Sequence, residues 1–202
     1  MNRLEISLTV CSIVTTLISI GMTLYAFHLR RKLQKLDLGS LRYSAQKLAQ
    51  KIVRSGYQPD VLLVPDAKVA ITAYLLSEYL PVPPAIVVGC RQNREIAFNG
   101  SDHPKREGYM TVDRGDKFLF IPDFLRNYSG RKFLFVDSIH KRGTTMNVIR
   151  TALSPVSDDP STYKTCCFVR SKSYDANNEP DFFHREMSGR VVFPWGTVDV
   201  DA

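Results

Sequence analysis

Arg131-Lys132-Phe133-Leu134-Phe135-Val136-Asp137-Ser138-Ile139-His140-Lys141-Arg142-Gly143-Thr144-Thr145-Met146 is the stretch on which the fold turns. Four consecutive apolar residues, Phe133 to Val136, suit a strand covered on both faces of a parallel sheet. Asp137 stands where that strand is expected to end. A short polar loop with one glycine and two threonines follows, and Met146 to Leu153 reads as a helix. Open α/β sheets place ligands outside the carboxyl ends of their strands, beside helix N-termini whose free N–H groups favour anions. The pattern predicts a phosphate cradle with an acid beside it.

The flanking segments extend the same alternation. Ser40 is expected to cap a helix that puts Leu41, Ala45, Leu48, Ala49, Ile52 and Val53 on one face and ends near Gly56. Val61 to Val64 is a short apolar strand, Val69 to Leu80 a helix stopped by Pro81, and Ala85 to Val88 a second buried strand. Strand, helix, strand points to an α/β domain with a largely parallel sheet. Residues 91–108 are polar and turn-rich, and are expected to form a mobile lid; an insertion without function fits their composition nearly as well. Asp113-Arg114-Gly115-Asp116 suits a hairpin turn between Tyr109–Val112 and Lys117–Ile121. Ser154-Pro155 ends the helix after the cradle, and Thr162 to Val169 is a further strand.

Charge is unevenly spread. The net charge is +7, and residues 28–54 alone hold Arg30, Arg31, Lys32, Lys35, Arg42, Lys47, Lys51 and Arg54 against Asp37. The remaining residues balance at 19 basic and 19 acidic. A basic cluster confined to one segment argues for membrane topology and anionic lipid over a nucleic-acid groove. Directly before it, Ile6 to Phe27 contains no charged residue. As a helix it would span about 33 Å, enough for a bilayer core of about 30 Å. Its charge follows the apolar run instead of preceding it, unlike a signal peptide. Residues 1–28 are therefore expected to be a single-pass anchor, 29–39 a basic juxtamembrane linker, and 40–202 a soluble domain on the cytoplasmic side. Cys11, Cys90, Cys166 and Cys167 form no CxxC pair and no zinc spacing, so they read as reduced, buried thiols.

Taken together, residues 40–202 resemble the type I phosphoribosyltransferase fold, and most closely its xanthine, guanine and hypoxanthine branch. The cradle is similar to that family's diphosphoribose-binding motif, an apolar strand and acids followed by a Thr-Gly-x-Thr loop. The order of elements before the cradle fits, and Lys172, Pro180-Asp181-Phe182-Phe183 and Phe193-Pro194-Trp195 look like the closing segment. The resemblance implies an open, mostly parallel sheet with a small C-terminal hood. It also implies that phosphoribosyl diphosphate or a nucleotide is the ligand, with Mg²⁺ as cofactor and a homodimer as the candidate oligomer. Residue by residue, it makes Asp137 the acid at the ribose hydroxyls, the metal and the chemistry. Ser138, Lys141, Arg142, Gly143, Thr144 and Thr145 would complete the phosphoribosyl site. Asp66, Ala67 and Lys68 would be the diphosphate loop, and Lys172, Arg190 and Val191 the base pocket.

Three departures bear on activity. Ser138 replaces the second acid, Lys141 the loop acid proposed to manage the base proton, and Arg142 a phosphate-binding threonine. An ammonium cannot accept a proton at neutral pH unless its pKa is strongly depressed, whereas a guanidinium still binds phosphate. Two functions therefore stand side by side: transfer of phosphoribosyl to a nucleobase at the membrane, and a degenerate nucleotide-sensing module that signals there. A scaffold with a vestigial pocket is a third. Trp195 and Phe193 read as packing residues, and His140 and His184 as structural.

Overall fold

The computed structural model describes residues 14–25, 33–82, 86–92, 107–113, 117–128, 130–153, 159, 162–172 and 178–200. At its centre lies a five-stranded sheet of β2 (Val61–Val64), β3 (Ile86–Val87), β7 (Phe133–His140), β8 (Tyr163–Ser171) and β9 (Phe182–Met187), in the order β3-β2-β7-β8-β9. Every pairing in it is parallel. The expected fold class, an open and mostly parallel α/β sheet, is what the chain adopts.

Side-chain alternation assigns the strand residues to two cores. Leu62, Val64, Leu134, Val136, Cys166 and Phe168 face one core, with helices α2 (Leu38–Arg54) and α3 (Ala70–Ser77). Val61, Leu63, Phe133, Phe135, Tyr163 and Cys167 face the other, with helix α4 (Thr144–Leu153). A strand with both faces covered must be apolar at every position, which explains the unbroken runs at 61–64 and 133–136. Cys166 and Cys167 are free and buried, and burial drives both thiols upward in pKa, so neither is a nucleophile at neutral pH.

Two small sheets flank this centre. β4 (Gly89–Gln92), β5 (Tyr109–Asp113) and β6 (Lys117–Pro122) form an antiparallel sheet in the order β4-β6-β5, with the β5–β6 pairing expected of a hairpin. Most of the segment expected as a lid, and the 114–116 turn, lie outside the described residues. The C-terminal hood is the hairpin β10 (Arg190–Phe193) and β11 (Gly196–Asp199), extended by β1 (Leu33–Lys35) in parallel with β10. β1 lies inside the stretch expected to be a linker.

Several boundaries shift for identifiable reasons. β7 continues past Asp137 to His140 because Asp137, Ile139 and His140 pair with Cys167, Val169 and Arg170 of β8. α4 starts at Thr144, not Met146. α2 starts at Leu38 and is capped by Asp37, whose Oδ1 accepts from Ser40 N at 2.7 Å, so Ser40 sits in the first turn. A helix, α1, runs through residues 14–25 of the apolar stretch, and Thr23 Oγ1 donates back to Ser19 O at 2.8 Å. Among the described residues no helix is long and apolar enough to cross a membrane.

Candidate functional site

Strand order locates the site before any side chain is considered. From β2 the chain moves outward to β3, whereas from β7 it moves the opposite way to β8 and then β9. The connections after β2 and β7 therefore diverge and leave a crevice between adjacent strands, which is where open α/β sheets bind ligands. A pocket of about 640 Å³ opens there. It is lined by Asp66 and Lys68 after β2, by 137–146 around the end of β7, and by 195–198 of the hood.

The loop after β7 is held firmly. Gly143 has φ +71°, and a Cβ on it would lie 2.5 Å from Asn178 Cβ, 2.8 Å from His140 Nε2 and 2.9 Å from Asn178 O. Only glycine fits that backbone shape in that space. His140 is 2% exposed, with Nε2 2.6 Å from Asn178 O. A carbonyl can only accept, so Nε2 carries a proton. Burial lowers the His140 pKa, outweighing the Asn178 carbonyl. Asn178 is followed by Glu179, which pairs with the buried guanidinium of Arg170 on β8; Arg170 also pairs with Glu186 and lies 3.7 Å above the Phe183 ring. The loop thus rests on a braced segment. Beyond it, Asn147 N donates to Gly143 O at 2.9 Å, which begins the α4 hydrogen-bond ladder, and Thr144, Thr145 and Met146 of its first turn line the pocket.

Within the pocket, Asp137 is half-buried and its Oδ1 accepts from Ser138 N at 2.6 Å and, more weakly, from Ile139 N at 3.5 Å. Ser138 is buried and its Oγ has no hydrogen-bond partner among the described residues. Lys141 is partly buried and Arg142 exposed. Across the crevice, Asp66 Oδ1 accepts from Val69 N at 3.0 Å, a local turn that leaves Ala67 and Lys68 exposed.

Of the residues singled out from the sequence, Asp137, Ser138, Lys141, Arg142, Gly143, Thr144, Thr145, Asp66 and Lys68 line this one pocket. Ala67, between two of them, does not. Lys172, Arg190 and Val191 are elsewhere: Lys172 follows β8 and is exposed, Arg190 lies 3.9 Å from Asp199 across the hood hairpin, and Val191 is fully buried. The hood's contribution is Trp195, Gly196, Thr197 and Val198. Trp195 is half-buried and stacked on Phe193 at 5.0 Å between centroids and 23° between planes. It therefore packs, as expected, and also reaches the pocket. The available signal was the turn Pro194-Trp195-Gly196, which lifts the aromatic out of a buried strand.

The donor set suits a cation that arrives with a phosphorylated ligand. The pocket offers the carboxylates of Asp66 and Asp137, and among the described residues no group of three His, Cys, Asp or Glu gathers to cage a metal. Mg²⁺ is commonly held by one or two carboxylates together with substrate phosphates and water.

No family model matches the chain, and no curated protein matches it. Solved structures do. A purine phosphoribosyltransferase from Pyrococcus horikoshii Ot3 superposes with a TM-score of 0.57 at 18% identity, covering 85% of this chain and 98% of that chain. The xanthine-guanine-hypoxanthine phosphoribosyltransferase of Helicobacter pylori gives 0.57 at 13%, covering 81% and 94%. A hypothetical protein from Neisseria gonorrhoeae with bound ppGpp gives 0.53 at 17%, covering 83% and 92%. At these identities the likeness establishes the fold: the chain is built on the phosphoribosyltransferase pattern of sheet and flanking helices.

Proposed function

We propose that the protein binds phosphoribosyl diphosphate or a nucleotide in the crevice between the β2 and β7 loops, on a domain tethered to the membrane by residues 6–27 and facing the cytoplasm. The observation that carries this reading is the convergence, in one pocket at the strand-order reversal, of Asp137, the rigid 141–145 loop, the start of α4 and the cations Lys68, Lys141 and Arg142. In this reading the loop amides, the threonine hydroxyls and Arg142 hold a 5′-phosphate, and Asp137 takes the ribose hydroxyls. Asp137, with Asp66 across the crevice, would hold Mg²⁺, whose role is to neutralise diphosphate charge. Lys68 meets the distal phosphates. Trp195 offers its face to whatever occupies the hood side.

The same residues favour binding over turnover. Asp137 and Asp66 are the only carboxylates lining the pocket among the described residues, and by the family resemblance Lys141 would stand where proton transfer to or from a base needs an acceptor. The sensing reading rests on that substitution. The full chain in detergent should gain heat stability from phosphoribosyl diphosphate with Mg²⁺, or from a nucleotide such as GMP or ppGpp, and Arg142→Ala should weaken the effect. No stabilisation by any of these ligands would overturn the binding reading. Diphosphate release with any of a panel of purine and pyrimidine bases would replace the sensor with an enzyme.

A further inference from the structure

We propose that the outer face of α2, together with the adjoining edge of β9, docks flat on an anionic lipid surface. This rests on the tether reading for its geometry but uses different residues from the pocket. α2 contains no acid. Its buried side packs on the core, and its other side presents Arg42, Lys47, Lys51 and Arg54. Arg42 is committed to Glu78 of α3 at 3.0 and 3.2 Å, so Lys47, Lys51 and Arg54 dominate the remaining charge.

Beside these cations the exposed surface of α2 also carries apolar groups. Leu38, Tyr43 and Val53 are 57%, 50% and 58% exposed. Lys47 Nζ lies 5.4 Å from the Tyr43 ring centroid, and Tyr43 meets the ring of His184 on β9 edge-on at 5.8 Å. Aliphatic and aromatic groups interleaved with lysines match the headgroup–acyl boundary, where apolar faces sink and ammonium groups reach phosphates. β9 is the last strand of its sheet and adds Arg185. The crowding of positive charge registers at His184, whose pKa is lowered to about 4 by burial first, then by Arg185, Lys51 and Lys47.

Chain connectivity supplies the proximity. Leu33 is pinned to the hood by β1–β10 pairing, and Leu36 N donates to Val192 O at 2.8 Å. From Phe27, the end of the uncharged stretch, to Leu33 the backbone can reach about 20 Å at most. α2 begins directly after β1, so its N-terminal end cannot stand far from the bilayer that holds residues 6–27.

The test reconstitutes the full chain into vesicles of phosphatidylcholine alone or doped with phosphatidylserine, with Val53→Cys as a reporter for a membrane-impermeant maleimide. Labelling should slow several-fold on the anionic vesicles only. High salt, or Lys47→Glu combined with Arg54→Glu, should restore it, with the heat stability of the variant unchanged. Equal labelling on both vesicles, in protein that resists alkaline carbonate, overturns the docking and leaves the tether standing. Protein released by carbonate instead overturns the tether. Docking is then decided by adding the chain to preformed vesicles: salt-sensitive cosedimentation with anionic vesicles, lost in the double variant, upholds it, and no cosedimentation overturns it. Tighter binding to RNA than to anionic vesicles, lost in the same variant, also overturns it.

Discussion

Two loops face each other across the crevice, and they are built in opposite ways. The one after β7 is rigid: Gly143 at φ +71° fits against His140 and Asn178 with no space for a side chain. The one after β2 is exposed at Asp66, Ala67 and Lys68 and is shaped by local turns, Val69 N donating to Asp66 Oδ1 and Ala70 N to Ala67 O. The comparison teaches that one wall is preorganised while the other can adapt. A phosphate held by the first loses little to ordering of the site on binding, whereas contacts to the second must offset the immobilisation of exposed side chains. Affinity should therefore concentrate in the β7 loop, and variation in the length or charge of the ligand should be absorbed by the β2 loop.

The largest effect tests the rigid wall directly. Gly143→Ala places a methyl where Asn178 and His140 already sit and forces a left-handed backbone on a residue with a Cβ, at roughly 1–3 kcal/mol. A fall in melting temperature with loss of phosphoribosyl diphosphate binding is expected by differential scanning fluorimetry and calorimetry. Ala67→Gly, the comparable one-methyl change on the open wall, should leave the melting temperature nearly unchanged and the affinity within about twofold. Equal losses from the two would break the contrast.

Next comes Arg142→Ala. A charge-assisted hydrogen bond to phosphate contributes about 1.5–3 kcal/mol, so affinity should fall roughly tenfold to a hundredfold. Lys68→Ala removes a flexible, exposed point charge and should cost only a few-fold, with most of that loss masked by salt. If Lys68→Ala costs more than Arg142→Ala in the same titration, the diphosphate wall, not the phosphate loop, anchors the ligand.

The difference between the walls also explains what could be read from the sequence. The β7 side is written in local chemistry: an unbroken apolar run, an acid, and a glycine whose backbone shape no other residue accepts there. Its strand runs past the end its polarity suggests: Asp137 to His140 look like a loop, yet Asp137, Ile139 and His140 stay extended through pairing with Cys167, Val169 and Arg170, residues distant in sequence. The same kind of long-range pairing hid β1, whose three residues are polar or exposed and owe their strand to β10. The hood's reach into the pocket was invisible for a related reason. Whether Lys172, Arg190 and Val191 or Trp195 to Val198 meet the ligand depends on how a hairpin docks, and hairpin patterning does not encode docking. The asymmetry of α2, by contrast, follows its spacing at Leu41, Ala45, Leu48, Ala49 and Ile52, which are buried, but not at Val53, which is expected beside them and is 58% exposed.

A smaller effect sharpens the role of the rigid wall. Ser138 Oγ is buried and has no partner among the described residues, and such a group costs about 1–3 kcal/mol of stability. Ser138→Ala should raise the melting temperature of the free protein while weakening ligand binding, because the hydroxyl is then a group held ready for a bound phosphoribosyl. If the variant is more stable and binds as tightly as before, the hydroxyl serves no ligand and the wall's function rests on Asp137 and the loop alone.

The smallest effect lies far from both walls and sets the background against which they are measured. His184 in the folded chain is lowered to about 4, while in the unfolded chain it titrates near 6.5. Between these values the unfolded state binds the extra proton, so stability contributed by the neutral ring is complete above about pH 6.5 and is lost as pH falls toward 4. His184→Gln should flatten the melting temperature across that window without changing ligand affinity at pH 7.5. Should the slope survive the substitution, the titrating group is elsewhere; His140 is then the next to replace, because burial lowers its pKa as well and it holds the phosphate loop. In that case acid would loosen the rigid wall itself, and ligand affinity would fall with stability over the same pH range.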